Sequence, residues 1–66
     1  MTLQDAFELF WRLGIRPESI SRAEFSAAYF RLARRYHPDL NPATHELMAN
    51  INSARTTILA SYRLRS

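Results

Sequence analysis

Residues 21–36 carry the pattern that most constrains the fold, an unbroken helical period of apolar residues between a start signal and a stop signal. Ser21 and Glu24 form a Ser-x-x-Glu capping box, whose side chains satisfy backbone N–H groups at a helix start. Pro38 disfavours helical geometry at the residue before it, so the helix should end near Tyr36. The apolar face of this helix comprises Phe25, Ala28, Tyr29, Leu32, Ala33 and Tyr36.

Two further helices are predicted, one on each side of this segment. The first covers about residues 3–13 and ends at Gly14, the only glycine of the chain, which suits the left-handed residue that often follows a helix. The last covers about residues 43–61, with Asn41 as its cap and Pro42 as its first helical residue.

The connections between these helices predict how the helices pack. The long helices at about 22–36 and 43–61 are joined by a short turn, which favours an antiparallel hairpin. The aromatic-rich helix at about 3–13 would pack across one side of that hairpin. The predicted fold class is therefore all-α, a small helical bundle.

Size and charge narrow the possible partners without choosing one. A chain of 66 residues with no cysteine has a small core and no disulfides, so helix packing must supply its stability. No apolar run reaches the roughly 20 residues of a membrane span, and no secretory signal is visible; we expect a soluble, cytoplasmic protein without a membrane partner. The net charge is +3 and all nine basic residues are arginine, which suits an acidic protein surface or a nucleic acid.

The turn of the predicted hairpin contains the tripeptide His37-Pro38-Asp39. A lone His-Pro-Asp would be a weak signal, but the residues around it follow a known pattern. The chain resembles the J-domain family of DnaJ-type co-chaperones in three stretches, AYFRLARRYHPDLNP (28–42), INSA (51–54) and LGI (13–15). The resemblance extends from about Phe10 to Leu59.

The resemblance implies a single J-domain over residues 1–66, with a DnaK-type heat-shock chaperone as its partner. In this family His37, Pro38 and Asp39 would form the signalling loop, which docks where the nucleotide-binding domain of the chaperone meets the interdomain linker and the substrate domain. This contact stimulates ATP hydrolysis by the chaperone. The residue chemistry agrees, since the proline stiffens the loop and the carboxylate can accept a bidentate arginine.

The resemblance also assigns a role to the outer face of the second helix, which would pair with an acidic patch on the chaperone. Arg31 and Arg35 match positions that are commonly basic in the family, and Arg34 extends the patch. The patch is thinner than usual because the family often has basic residues at the positions of Ser26, Phe30 and Leu40. We expect Phe30, which lies off the core stripe, to add an apolar contact with the partner.

Structural roles are the alternatives for these same residues. In this interpretation the ring of His37 serves only to satisfy a backbone group, and Asp39 only to cap a turn. Arg31, Arg34 and Arg35 would then be an ordinary solvated helix face. We interpret four other arginines as solubility charges: Arg22, Arg55, Arg63 and Arg65. Trp11 and the phenylalanines of the first helix are interpreted as core or core edge, and Tyr62 as a packing residue.

The chain is not expected to be an enzyme or to hold a cofactor. It has no nucleophile elbow, no glycine-rich phosphate loop and no paired carboxylates, and it is too small for a deep pocket. His37 and His45 are too few and too far apart for a metal site. Two alternatives stay open, a small basic nucleic-acid-binding domain and a J-like interaction scaffold that does not stimulate a chaperone. We expect any client protein to bind elsewhere.

Overall fold

The fold, taken from a computed structural model that describes residues 1–37, 39 and 42–65, consists of helices. Helix α1 covers Leu3–Arg12, α2 covers Arg22–Arg35 and α3 covers His45–Arg65. Short 3₁₀ turns at Pro17–Ser19 and Pro42–Thr44 precede α2 and α3, and the described ranges contain no strand. The predicted all-α class is therefore confirmed.

Helices α2 and α3 form an antiparallel hairpin, as their cross-contacts run in opposite directions along the two helices. The ring of Phe25 lies 5.9 Å from that of Tyr62, whereas at the other end Thr44 contacts the backbone of Tyr36. Helix α1 packs against α3, and its Phe10 ring meets Phe25 of α2 edge-on at 5.0 Å. This is the predicted bundle, with the first helix covering one side of the hairpin.

Local hydrogen bonds fix both ends of α1. The Thr2 hydroxyl accepts the Asp5 N–H at its start. At its end, the N–H groups of Gly14 and Ile15 donate to the carbonyls of Trp11 and Phe10, and Gly14 has φ +84°. This is a Schellman motif, which requires a left-handed residue at that position. The helix therefore ends at Arg12, one residue earlier than predicted, with Leu13 as its C-cap.

Both hydrogen bonds of the predicted capping box are present at the start of α2. The Ser21 hydroxyl accepts the Glu24 N–H at 3.1 Å, and the Glu24 carboxylate accepts the Ser21 N–H at 3.0 Å. The hydrogen bond from the Ser21 backbone holds the pKa of Glu24 below its usual value, and the hydrogen bond with the Ser21 side chain lowers it further. At the other end, Tyr36 is the C-cap and donates its N–H to the Leu32 carbonyl.

The bounds predicted for the third helix were wrong at both ends. The segment Pro42–Thr44 is a 3₁₀ turn, and α3 begins only at His45 and continues to Arg65. The Thr44 hydroxyl donates to the Tyr36 carbonyl at 2.6 Å, so the segment before α3 is held by the end of α2. The predicted cap, Asn41, lies outside the described residues.

The core lies where the three helices meet, and among the residues that the structure describes it contains nine buried apolar side chains: Ala6, Phe10, Phe25, Ala28, Leu32, Met48, Ile51, Ala54 and Ile58. Three members of the predicted α2 stripe, Tyr29, Ala33 and Tyr36, are only half-buried at its edge. Trp11 also lies at the edge, where its ring stacks on Phe7. In the described part of the chain, no helix is long and apolar enough to cross a bilayer.

Candidate partner-binding site

The end of α2 projects two polar side chains of the predicted loop into solvent. The side chain of His37 is 53% exposed and that of Asp39 is 90% exposed. The base of the loop is closed by the hydrogen bond between the Thr44 hydroxyl and the Tyr36 carbonyl. Pro38, the middle residue of the tripeptide, lies outside the described residues. The exposed tip is thus carried on two packed helices.

His37 and Asp39 also contact each other. The Nδ1 atom of His37 accepts the Asp39 N–H at 3.2 Å, and it lies 3.7 Å from Oδ2 of Asp39. A neutral imidazole that accepts through Nδ1 carries its proton on Nε2, which leaves Nε2–H as a donor for another molecule. The structural role that the sequence allowed for His37, satisfying a backbone group, is therefore present. It leaves the carboxylate of Asp39 exposed.

The outer face of α2 combines an exposed aromatic ring with positive charge. Phe30 is 60% exposed, and Arg31 and Arg34 are exposed on the same face of the helix. Arg35 is exposed as well but lies nearer the loop, with its guanidinium 5.4 Å from the centre of the Tyr36 ring. The position of Phe30 off the core stripe agrees with the sequence pattern.

A surface cleft of about 360 Å³ adjoins the loop on the seam between α2 and α3. Its lining residues are Tyr29, Ala33, His37, His45, Met48, Ala49 and Asn52. The Tyr29 hydroxyl donates to Oδ1 of Asn52 at 2.6 Å and closes the cleft on the side away from the loop. The sequence interpretation did not identify this cleft, although the four α3 residues follow a single helical face with spacings of three, four and seven.

Arg55 has a role that the sequence interpretation missed. Its guanidinium lies 4.7 Å from the centre of the Tyr29 ring, a cation–π contact that orients both side chains. Tyr29 and Arg55 together separate the cleft at the loop from a second cleft of about 310 Å³ further along the same seam. The interpretation of Arg55 as only a solubility charge was therefore incomplete.

The described residues do not bring together enough side chains of the ligand types that bind a metal ion. His37 and His45 line the same cleft, but no group of three histidine, cysteine or acidic side chains comes together within the ranges 1–37 and 42–65 or at Asp39. The described part of the chain does present an exposed polar loop tip, a basic helix face and a cleft with a mixed polar and apolar lining. This combination of features is typical of a small helical binding module.

Comparison with known proteins identifies the family of this module. The chain is 44% identical over 55 residues to the chaperone protein DnaJ of Dictyoglomus thermophilum, a match that covers 80% of the chain and 13% of that protein. It is 41% identical over 54 residues to a DnaJ-like protein of Mycoplasma pneumoniae, covering 82% of the chain and 15% of the relative. With the chaperone protein DnaJ of Mycoplasma capricolum it shares 39% identity over 61 residues, or 89% of the chain and 15% of that protein.

The chain therefore belongs to the J-domain family of DnaJ-type proteins. It spans about 13–15% of the length of these curated relatives. No protein-family model matches the chain. No solved structure matches it significantly.

Proposed function

We propose that this J-domain binds a DnaK-type heat-shock chaperone and stimulates ATP hydrolysis by that chaperone, without being an enzyme itself. The observation that carries the proposal is the exposed pair His37 and Asp39 at the tip of the helical hairpin, in a chain that belongs to the DnaJ family. Pro38 is included in the proposed loop on the strength of the sequence alone.

The loop is suited to binding because part of its order is established before the partner arrives. The bond from Thr44 to Tyr36 closes its base, and the bond from the Asp39 N–H to His37 orients its tip. A loop that is already ordered loses less conformational entropy on binding. In the proposed complex the Asp39 carboxylate accepts an arginine of the chaperone, and the Nε2–H of His37 donates to a nearby acceptor.

Two surfaces next to the loop would extend the contact. The outer face of α2, with Arg31, Arg34 and Arg35, would face an acidic patch of the chaperone and speed association. Phe30 would add an apolar contact on this face. The cleft beside His37 is lined by Ala33, Met48 and Ala49 together with polar side chains, and it has room for one side chain of the partner.

The nucleic-acid alternative gains no support from the arrangement of the arginines. Arg22 and Arg31 are nine residues apart in α2, which at roughly 3.6 residues per turn places them on opposite sides of the helix. The arginines of α2 therefore do not form one continuous stripe along a groove-sized surface, the usual footprint of such proteins.

The decisive test is the variant Asp39→Asn in a single-turnover ATPase assay with a purified DnaK-type chaperone. The change removes the charge with little change of shape, so stimulation should be lost while the helical circular dichroism stays the same. Glu8→Gln is the matched control. It removes a carboxylate from an exposed position of α1 and should leave stimulation intact.

Two outcomes would count against the proposal. Equal stimulation by the wild type and by Asp39→Asn would remove the loop from the mechanism. Absence of stimulation by the wild type, with binding to the chaperone retained, would favour a J-like scaffold that has no stimulating activity.

A further inference from the structure

The seam between α2 and α3 holds a second cleft, at the end of the hairpin opposite the signalling loop. It has a volume of about 310 Å³ and is lined by Arg22, Arg55, Thr56, Leu59, Ala60 and Arg63. Three of these six residues are arginines, and none is acidic. We call this surface the arginine cleft.

The arginine cleft is a product of the antiparallel packing. Arg22 is the first residue of α2, and Arg63 lies near the end of α3. In an antiparallel hairpin these two positions lie at the same end, and both residues line the cleft there. Arg55 stands between the two clefts and is held in place by its contact with the Tyr29 ring. An arginine held against a ring loses less side-chain entropy when it binds an anion.

Two of the arginines in this cleft, Arg22 and Arg55, are not paired with a carboxylate of the described residues. Glu24 is close to Arg22 in sequence, but its carboxylate accepts the Ser21 N–H. Bringing like charges together costs free energy, and an anionic partner would offset that cost.

The arginine cleft is separate from the surface proposed to bind the chaperone. Arg22, the first residue of the 14-residue helix α2, and Tyr36, its C-cap, are therefore roughly 21 Å apart along the helix axis. Arg22 also faces away from Arg31, on the opposite side of α2. A partner in the arginine cleft would leave the loop and the outer face of α2 accessible.

We propose that the arginine cleft binds an acidic segment of another polypeptide, one that combines carboxylates with an aliphatic side chain. Guanidinium groups pair with carboxylates through two parallel hydrogen bonds. Between the arginines lie the methyl groups of Leu59 and Ala60, which suit an aliphatic side chain rather than a sugar-phosphate backbone. This charge complementarity and apolar floor favour an acidic peptide over nucleic acid.

The proposal is tested with the 66-residue chain and a fluorescein-labelled peptide that alternates glutamate and leucine. The double variant Arg22→Gln/Arg55→Gln should raise the Kd at least about tenfold, because charge-assisted hydrogen bonds are lost. The control Arg12→Gln/Arg16→Gln removes the same charge from exposed positions outside the cleft and should change the Kd less than about twofold. Arg22→Gln alone keeps the contact of Arg55 with Tyr29 and should still weaken binding about threefold or more.

Two further measurements identify the occupant. In NMR spectra the peptide should shift the amide signals of Thr56, Leu59 and Ala60 and leave those of His37 and Asp39 in place. The glutamine-leucine counterpart of the peptide should bind at least about tenfold more weakly, since it lacks the charges.

Several results would overturn the proposal. The proposal fails if the glutamate-leucine peptide does not bind, or if the control variant Arg12→Gln/Arg16→Gln loses as much peptide affinity as the double variant. The same holds if the peptide shifts only the NMR signals of the signalling loop. A DNA duplex that displaces the peptide at lower concentration would assign the cleft to nucleic acid. A dimer of the chain that dissociates in the double variant would assign the cleft to a second copy. None of these experiments contains a chaperone, so their outcome is independent of the ATPase assay.

Discussion

At the scale of single residues, Phe30 is the most exposed aromatic side chain in the described part of the chain. It is 60% exposed in a helix whose apolar neighbours Phe25, Ala28 and Leu32 are buried. Its ring meets the edge of the Tyr29 ring at a centroid distance of 5.5 Å, so it stands beside the seam and not in the core. An exposed aromatic next to arginines is typical of binding surfaces.

Replacing Phe30 by alanine should therefore separate binding from stability. Stimulation of the chaperone should fall several-fold, because an apolar contact with the partner is lost. The melting temperature should stay nearly unchanged, since little buried area is removed. Phe25→Ala is the contrasting variant, and truncation of its buried ring should cost about 3–5 kcal/mol of unfolding free energy. A large drop in melting temperature for Phe30→Ala would mean that this ring stabilises the fold instead.

At the scale of secondary-structure elements, the start of α2 is stabilised in part by the charge of the Glu24 carboxylate. The Glu24 carboxylate accepts the Ser21 N–H, and this hydrogen bond lowers the pKa of Glu24 below its usual value of 4.5. A group whose pKa is lowered by folding stabilises the folded state above its unfolded pKa. That contribution is lost as the pH falls through the lower, folded pKa.

The variant Glu24→Ala should consequently show a stability defect that depends on pH. At pH 7 its melting temperature should be below that of the wild type, because the capping box is broken. The difference should shrink as the pH falls below 4.5 and lose its charge-dependent part once Glu24 of the wild type is protonated. Thermal unfolding followed by circular dichroism from pH 7 to pH 2 measures this.

The control for the capping box is Glu24→Gln. It keeps an oxygen acceptor for the Ser21 N–H but carries no charge, so its defect should be smaller than that of alanine at pH 7. A defect of Glu24→Ala that is constant over the whole pH range would show that the carboxylate charge does not contribute at this helix end.

At the scale of the whole molecule, a tyrosine hydroxyl ties the far end of α3 to the connection between the other two helices. The Tyr62 hydroxyl lies 2.7 Å from the Pro17 carbonyl and 3.0 Å from that of Ile20, and its single proton serves both acceptors. Pro17 is buried, and its 3₁₀ turn leads directly to the capping box of α2. The hydroxyl thus helps to set how α3 lies against the α1–α2 connection.

Tyr62→Phe should destabilise the folded state by about 1–2 kcal/mol, because two partly buried carbonyls lose their donor while the ring is retained. The matched control is Tyr29→Phe, which removes a hydroxyl bonded to exposed Asn52 and should cost at most about 0.5 kcal/mol. Urea unfolding measures both. Equal losses in the two variants would show that the link from Tyr62 is no stronger than a surface hydrogen bond.

The sequence by itself determined the elements whose limits depend on near neighbours. The capping box joins residues three apart, and the Schellman motif at Gly14 involves residues at most five apart. The helical period of α2 also predicted the face that packs on the core, on which Phe25, Ala28 and Leu32 are buried, and it placed Phe30 off that face. The end of α2 near Tyr36 also followed from a local signal, since a proline in the sequence disfavours helical geometry at the residue before it.

Only the tertiary structure decided what depends on the register between helices. Helix α3 begins at His45, later than the sequence predicted. The Thr44 hydroxyl just before it donates to the Tyr36 carbonyl at the end of α2, a contact that no local pattern specifies. The contact of Arg55 with the Tyr29 ring joins residues 26 positions apart, and the hydrogen bond from Tyr62 to Pro17 joins residues 45 positions apart. Both clefts lie on the seam between two helices. A helical period fixes which face of a helix is apolar. It does not fix how far one helix slides along another, and that choice rests on packing and hydrogen bonds made only in the folded chain.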